Sequence, residues 1–214
     1  MATISLSFEA IDDLIYDARS GDFAALKTDI DALATQHACS PASIVASAID
    51  AEPESEGGSG ACLLHFPAAN GNHEILSFLL STLTSGNILD QAQILAVVNH
   101  QNHSGNTPLH WAALNTHLPC VKALVEAGAD LSVKNAAGHD AVFLAERTAW
   151  AAETETEAET EEQQDQQEVE VEVSVGEEAE QDAAPRKLSP GEEVVEWLLG
   201  CDKGAGLESG VAEP

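Results

Sequence analysis

Two side chains between Ser104 and Asp130 are of types that often do chemistry. His110, beside Trp111, could transfer a proton near neutral pH, and Cys120 could act as a nucleophile through its thiolate. Cys120 lies on the same helical stripe as Leu124, so we interpret it as a buried core thiol. The sequence contains no GxSxG elbow and no GK[ST] phosphate loop. We therefore predict that the protein is not an enzyme and has no catalytic residues.

Three further histidines, His100, His103 and His117, are candidate metal ligands. They stand without an HExxH sequence and without matching Cys or carboxylate spacing, and four-coordinate sites need a defined ligand set. We expect no metal site and no cofactor. The cysteines form no CxxC pair, and we predict four free thiols, which are Cys39, Cys62, Cys120 and Cys201.

The strongest signal in the composition is charge. The 214 residues include 37 acidic and 8 basic ones, for a formal net charge of -29. Such a surface repels nucleic acids and anionic membranes and attracts basic proteins. We expect no direct nucleic-acid partner and no membrane contact, since the chain also lacks a secretory apolar run and any apolar stretch near the roughly 20 residues of a membrane span. Two interpretations stay open: the acids attract a basic partner, or they keep the protein soluble.

The elements that hold these side chains recur with a period of 33 residues. Gly105 and Gly138 both stand fourth in units that begin at residues 102 and 135. Thr107 can cap a helix that accepts Pro108 in its first turn, and Gly128 is placed to end a second helix in a left-handed conformation. One such unit cannot bury its own apolar face, so stacked neighbours are predicted.

Weaker copies of the unit lie upstream. Residues 63–80 align His65 with His110, and residues 81–99 then predict an extended second helix with a longer loop. Residues 11–33 carry a helical pattern with aspartates on the outer faces, as in a solvated N-terminal cap. Between these two units, about 50–60, the Pro, Gly and acid-rich composition predicts a flexible loop.

The last unit is divided by an acidic tract. Residues 153–182 contain 14 acids and no Lys or Arg, which leaves 23 acids and 8 bases, a net charge of -15, on the rest of the chain. Such a composition predicts disorder. A capping box of Ser189 and Glu192 opens a predicted helix that completes the repeat. The predicted boundaries are repeats over 1–150, a disordered insertion over 151–187, a terminal helix over 188–201 and a flexible tail over 202–214.

The period and the string Thr107, Pro108, Leu109, His110, with Gly128 to Asp130 further on, resemble the ankyrin repeat. This resemblance implies an all-α ankyrin-repeat solenoid of about four to five helix-turn-helix repeats, with the acidic insertion in the last. It also implies that His110, and His65 at the same position, stabilise the loop between repeats through hydrogen bonds.

Ankyrin-repeat proteins usually bind partners through loop tips and inner helices. The resemblance therefore implies a partner-binding set of His103, Ser104, Asn106, Trp111, Leu114, Asn115, Lys134, His139 and Arg147. For Trp111, packing between repeats and contact with a partner remain equal alternatives.

Three stretches, residues 16–27, 98–124 and 134–146, are similar more closely to fungal ankyrin-repeat chaperones of a newly made small-subunit ribosomal protein, the S-three protein. That resemblance implies a basic ribosomal protein as partner, whose charge is masked and whose aggregation is prevented until delivery to the assembling small subunit. It further implies a monomer when free, in the cytoplasm and nucleus. The tract would supply masking acids, namely Glu153, Glu155, Glu157, Glu159, Glu161 and Glu162. The alternative is a general ankyrin adaptor with an acidic regulatory segment.

Overall fold

The computed structural model of the protein describes residues 4–50, 52–151 and 188–205. The helices in these residues are α1 (Phe8–Ser20), α2 (Phe23–Gln36), α3 (Pro41–Ser47), α4 (His65–Asn70), α5 (His73–Thr84), α6 (Gln91–Val98), α7 (Pro108–Leu114), α8 (Leu118–Glu126), α9 (141–151) and α10 (Pro190–Ala205). Short 3-10 turns cover Glu54–Glu56 and Ser85–Asn87, and an antiparallel bridge pairs Ile49 with Cys62.

The helices form two layers. The inner layer runs from α1 through α4 and α7 to α9, and the outer layer runs from α2 through α3, α5 and α8 to α10. Each inner helix forms an antiparallel pair with the outer helix that follows it, so the described residues hold four helix pairs. This arrangement confirms the predicted all-α solenoid.

Small side chains between the inner helices allow the close stacking. Ala68, Ala112, Ala113 and Ala145 are completely buried along this layer, while leucines such as Leu124 fill the space between the layers. Alanine favours helix formation and lets neighbouring helix axes approach each other.

The helix ends follow the local signals in the sequence. Thr107 caps α7, and Asp140 caps α9 by accepting a hydrogen bond of 2.9 Å from the Phe143 backbone N–H. Ser189 and Glu192 form the predicted capping box, in which the Ser189 N–H donates to Glu192 Oε2 at 2.6 Å. Gly128 has φ of +98°, as predicted for the end of the second helix.

The extended second helix and longer loop predicted over residues 81–99 describe only the first part of this region, and the helix at its end was not predicted. Helix α5 ends at Thr84, and the chain turns through Gly86 and Asn87, both in the left-handed region. Asp90 then opens the separate helix α6 with a capping box. Helix α3 was also not predicted, although its Ser40 cap and Pro41 in the first turn are ordinary helix-start signals.

Two of the predicted segments fall largely outside the described residues. These are the acidic insertion, of which residues 152–187 lie outside, and the C-terminal tail, of which residues 206–214 lie outside. Helix α10 starts at Pro190 and continues to Ala205, past the predicted end at 201. Within the described helices, none is long and apolar enough to cross a bilayer.

Candidate functional site: an acidic groove on the inner helices

The two histidines of the repeat motif are structural. The side chains of His65 and His110 are buried, and their Nδ1 atoms accept backbone N–H groups three residues earlier, from Cys62 at 3.2 Å and Thr107 at 3.1 Å. The network therefore assigns the proton to Nε2, which donates to the carbonyl of Asn106 at 2.9 Å from His65. His110 Nε2 donates in the same way to a carbonyl in the next loop, at 3.1 Å.

The predicted role of His65 and His110 in stabilising loops between repeats is thus confirmed. Burial lowers the pKa of His65 to about 4 and also lowers the pKa of His110, so both rings are neutral at physiological pH. Since both nitrogens of each ring are already hydrogen-bonded, these histidines are not poised for proton transfer.

The buried thiols are equally unsuited to chemistry. Burial raises the pKa of Cys62 to about 12 and that of Cys120 to about 11, so both stay protonated at neutral pH. The predicted core position of Cys120 is confirmed, and all four cysteines are free. Across the part of the chain that the structure describes, no group of three His, Cys, Asp or Glu side chains could hold a metal ion.

A groove of about 470 Å³ runs along the inner helices, bounded by α1, α4, α7 and the loop after α3. Its apolar lining comes from Ile15, Phe66 and Trp111. Acidic side chains at its edge are Asp12, Asp50 and Glu52, and Arg19 adds a positive charge. Tyr16, 70% exposed, lies one helical turn after Asp12 on the same side of α1. We call these residues the acidic groove.

Hydrogen bonds hold the loop wall of the acidic groove, in the segment predicted to be flexible. Asp50 Oδ2 accepts from both the backbone N–H and the hydroxyl of Ser59 at 2.6 Å. Burial by itself would raise the pKa of Asp50, but the hydrogen bonds from Ser59 and Glu52 outweigh it and lower the pKa. His100 Nε2 donates to Gly60 O at 2.9 Å, which ties the loop to the following repeat. Asp50 is thus held in its charged form on the groove wall.

Of the two roles left open for Trp111 by the sequence, the structure shows packing between repeats, and contact with a partner stays a prediction. Trp111 is half-buried, and its ring meets the edges of His65 at 5.1 Å and Phe66 at 6.1 Å between centroids. It therefore packs between repeats. The same ring also lines the acidic groove, where a partner could reach it.

The other predicted partner-binding residues lie at loop tips, at the end of α7 and on α9. In the loops, His103 Nδ1 is 3.0 Å from Gly58 O, Ser104 O accepts from Ala136 N, and Asn106 Oδ1 accepts from Asn135 Nδ2 at 2.8 Å. These polar groups hold successive loops together. Ser104 and His103 remain exposed, so partner contacts at these tips stay a prediction.

Nearer the last repeat, Leu114 is half-buried and Asn115 Nδ2 donates to Ala69 O at 2.9 Å. Lys134 and Arg147 are exposed, and His139 stacks on Phe143 with 4.1 Å between ring centroids. Trp111 is the member of the predicted set that lines the acidic groove. The six predicted masking acids, from Glu153 to Glu162, lie outside the described residues.

Much of the groove was not predicted from the sequence. Asp12 and Arg19 were assigned to a solvated cap, and Asp50 and Glu52 to a loop without fixed structure. Phe66 could have been predicted as a groove residue, because it occupies the position equivalent to Trp111 when residues 63–80 are aligned with the clear repeat.

Known proteins share this architecture. A family model for ankyrin repeats, in three copies, matches residues 24–135. The ankyrin repeat-containing protein YAR1 of Saccharomyces cerevisiae is 36% identical over 144 residues, which are 67% of this chain and 65% of YAR1, just under two thirds of its length. The crystal structure of the yeast ribosomal protein Rps3 in complex with its chaperone Yar1 contains a chain that aligns with a TM-score of 0.58 and 34% identity, covering 79% of this chain and 100% of the matched one.

Proposed function

Since the chain belongs to the ankyrin-repeat family, we propose that it is a dedicated, non-enzymatic chaperone of a newly made basic small-subunit ribosomal protein of the S-three type. The observation that carries this proposal is its similarity to Yar1, the chaperone of Rps3. The protein would mask the guest's positive charge and prevent its aggregation until delivery to the assembling small subunit. This role would take it through the cytoplasm and the nucleus.

The acidic groove supplies a surface of suitable chemistry for such a guest. Carboxylates of Asp12, Asp50 and Glu52 at its edge can accept hydrogen bonds from Lys or Arg. The aromatic rings of Phe66 and Trp111 can pack against the apolar side of the same segment and against the flat face of an arginine. A segment with basic and apolar residues on adjacent faces matches this lining.

The net charge of -29 supports the same role at longer range. Its field increases the rate at which a cationic guest meets the chaperone and keeps RNA away from the complex. The neutral buried histidines and protonated buried thiols favour binding over catalysis.

Recovery of the native complex tests the proposal. The protein purified gently from its own cells should carry one basic small-subunit ribosomal protein in roughly equal amount, identified by mass spectrometry. Affinity for that protein should fall steeply as salt rises from low to physiological levels, because exposed charges are screened over about 8 Å at physiological ionic strength. A collection of signalling or membrane proteins in place of the ribosomal protein would support the general adaptor instead. An affinity that does not change with salt would rule out charge masking.

A charge reversal locates the binding surface. Asp12→Lys in the acidic groove should weaken binding by about fivefold or more, the equivalent of about 1 kcal/mol for a partly exposed charge pair. The matched control is Glu126→Lys at the end of the outer helix α8, which changes the net charge equally. Equal losses for both variants would show that net charge, and not the groove, carries the binding.

A further inference from the structure

The last repeat leaves its outward side open. Phe143 stands one 33-residue period after His110, whose buried ring donates to the carbonyl of His139 in the following repeat. The Phe143 side chain is 42% exposed and stacks on His139 of its own repeat. In the middle of the solenoid, the residue at this position of the repeat contacts the next repeat. In the last repeat the same position is Phe143, and it is exposed.

Trp150 extends this open side along α9. It follows Phe143 by two helical turns, which places both on one face, and it is 72% exposed. Other sides of α9 are covered by neighbouring helices. The Thr148 hydroxyl donates to Leu114 O on the preceding inner helix. Ala149 packs against Gly191 of α10, where a Cβ added to Gly191 would lie 2.8 Å from the Ala149 Cβ. Trp150 therefore projects away from the preceding repeat.

Helix α10 adds an apolar flank on the same side. Trp197 lies toward the preceding repeat, since Lys122 Nζ on α8 is 5.9 Å from its ring centroid. Val195 and Leu199 are each about 160° around the helix from Trp197, so they point away from α8. Val195 is half-buried and Leu199 is 41% exposed. We call the side formed by Phe143, Trp150, Val195 and Leu199 the end face.

We propose that the end face is a second contact surface for the same basic guest, and that it takes an apolar stretch carrying Lys or Arg. This inference rests on the proposed function. Terminal repeats normally present a polar outer side, so large aromatic side chains exposed here need a partner. Exposed aromatic rings also attract cations. Glu146 and Arg147, which follow Phe143 by three and four residues, add one exposed carboxylate and one exposed guanidinium on this side of α9, so a basic guest is attracted by the net charge of the whole protein.

Charge favours a basic guest on the end face over a second copy of the chain or the acidic tract of the same chain. A second copy of the chain would bring another net charge of -29 to the interface, so stacking end to end is electrostatically opposed. Residues 153–182 of the same chain carry 14 acids and no basic residue, and they are opposed in the same way. A cationic guest is attracted to the same surface.

Paired truncations test the proposal in the full-length protein, with yeast Rps3 as the probe. Trp150→Ala should weaken binding about tenfold or more, because truncating a central aromatic anchor commonly costs at least that much. Phe143→Ala should also weaken binding, whereas Ile88→Ala should not, because Ile88 is exposed but lies outside both the end face and the acidic groove. Leu199→Ser should weaken binding as well, and Ile88→Ser is its control, since Ile88 is exposed to a similar extent, 39%. Circular dichroism checks that each variant is folded.

A spectroscopic signal identifies what covers the end face. In protein labelled with 5-fluorotryptophan, the Trp150 fluorine resonance should shift when Rps3 is added. A shift that appears with rising protein concentration alone would indicate a second copy, and a shift on deleting residues 153–182 would indicate the acidic tract; either would overturn the proposal. If the wild-type protein binds Rps3 and Trp150→Ala binds it with the same affinity, the proposal for the end face is refuted but the proposed function is not. If the wild-type protein does not bind Rps3, the proposed function is refuted.

Discussion

Acid should weaken the fold through the buried histidine of the second repeat. Burial lowers the pKa of His65 to about 4, from 6.5 for an ordinary histidine, with His100 and His110 adding to the shift. As pH falls below 6.5 the unfolded chain takes up a proton at this site before the folded protein does. Stability contributed by neutral His65 is therefore present above pH 6.5 and is lost as pH falls toward 4.

The size of this loss follows from the two pKa values. Lowering the pKa from 6.5 to about 4 corresponds to about 3 kcal/mol of stability once both states are protonated, and about 2 kcal/mol of it is lost by pH 5. His65→Gln removes the titrating group together with the hydrogen bond to Asn106 O, which should cost about 1 to 3 kcal/mol at pH 7. The difference in stability between wild type and variant should then shrink by about 2 kcal/mol between pH 7 and pH 5.

Urea unfolding followed by circular dichroism at several pH values measures this difference. His110→Gln should behave in the same direction, because burial also lowers the pKa of His110. His73→Gln, on the exposed surface of α5, controls for loss of a histidine as such. A difference between wild type and His65→Gln that is as large at pH 5 as at pH 7 would refute the claim that burial keeps this ring neutral.

Two further changes test the stacking of the last repeats. Gly105→Ala should lower the free energy of unfolding by about 2 kcal/mol or more, since φ is +73° and a Cβ would lie 2.6 Å from Ala136 N. Gly138→Ala, at the same loop position with φ of +79° and open space around the added Cβ, should cost only about 1 kcal/mol; equal losses in urea unfolding would show that close packing of the loops is unimportant. Deleting residues 153–182 should slow association with the guest, measured by stopped flow, more than it changes the circular dichroism spectrum. A deletion protein that no longer folds would show that the repeat boundary is misplaced.

Features of the fold that depend on neighbouring residues were predictable from the sequence. Thr107, Asp140 and Ser189 cap helices because a side-chain oxygen reaches a backbone N–H three residues away, and such spacing is visible in the chain. The 33-residue period predicted the stacking of units, and the resemblance to the ankyrin repeat implied the structural role of His110. The short helices α3 and α6 were not predicted, although Ser40 and Asp90 supply cap signals of the same kind.

The candidate site was much less predictable, because its members are far apart in the sequence. Asp12, Asp50, Phe66 and Trp111 meet in one groove only because stacking of α1, α4 and α7 brings their exposed edges together. Asp50 faces the groove because Ser59 and Glu52 fix its carboxylate, which composition alone assigned to a flexible loop.

The sequence by itself determined the repeat, the helix boundaries that caps specify, the buried histidines and the acidic charge. The repeat, the caps and the histidines depend on residue type and on spacing within one unit of 33 residues, and the charge depends on composition alone. Only the tertiary structure decided which acids and aromatic rings share a groove and that Phe143 and Trp150 remain exposed at the end. Those properties depend on which surfaces neighbouring repeats cover, and that is settled by packing between units and not within them.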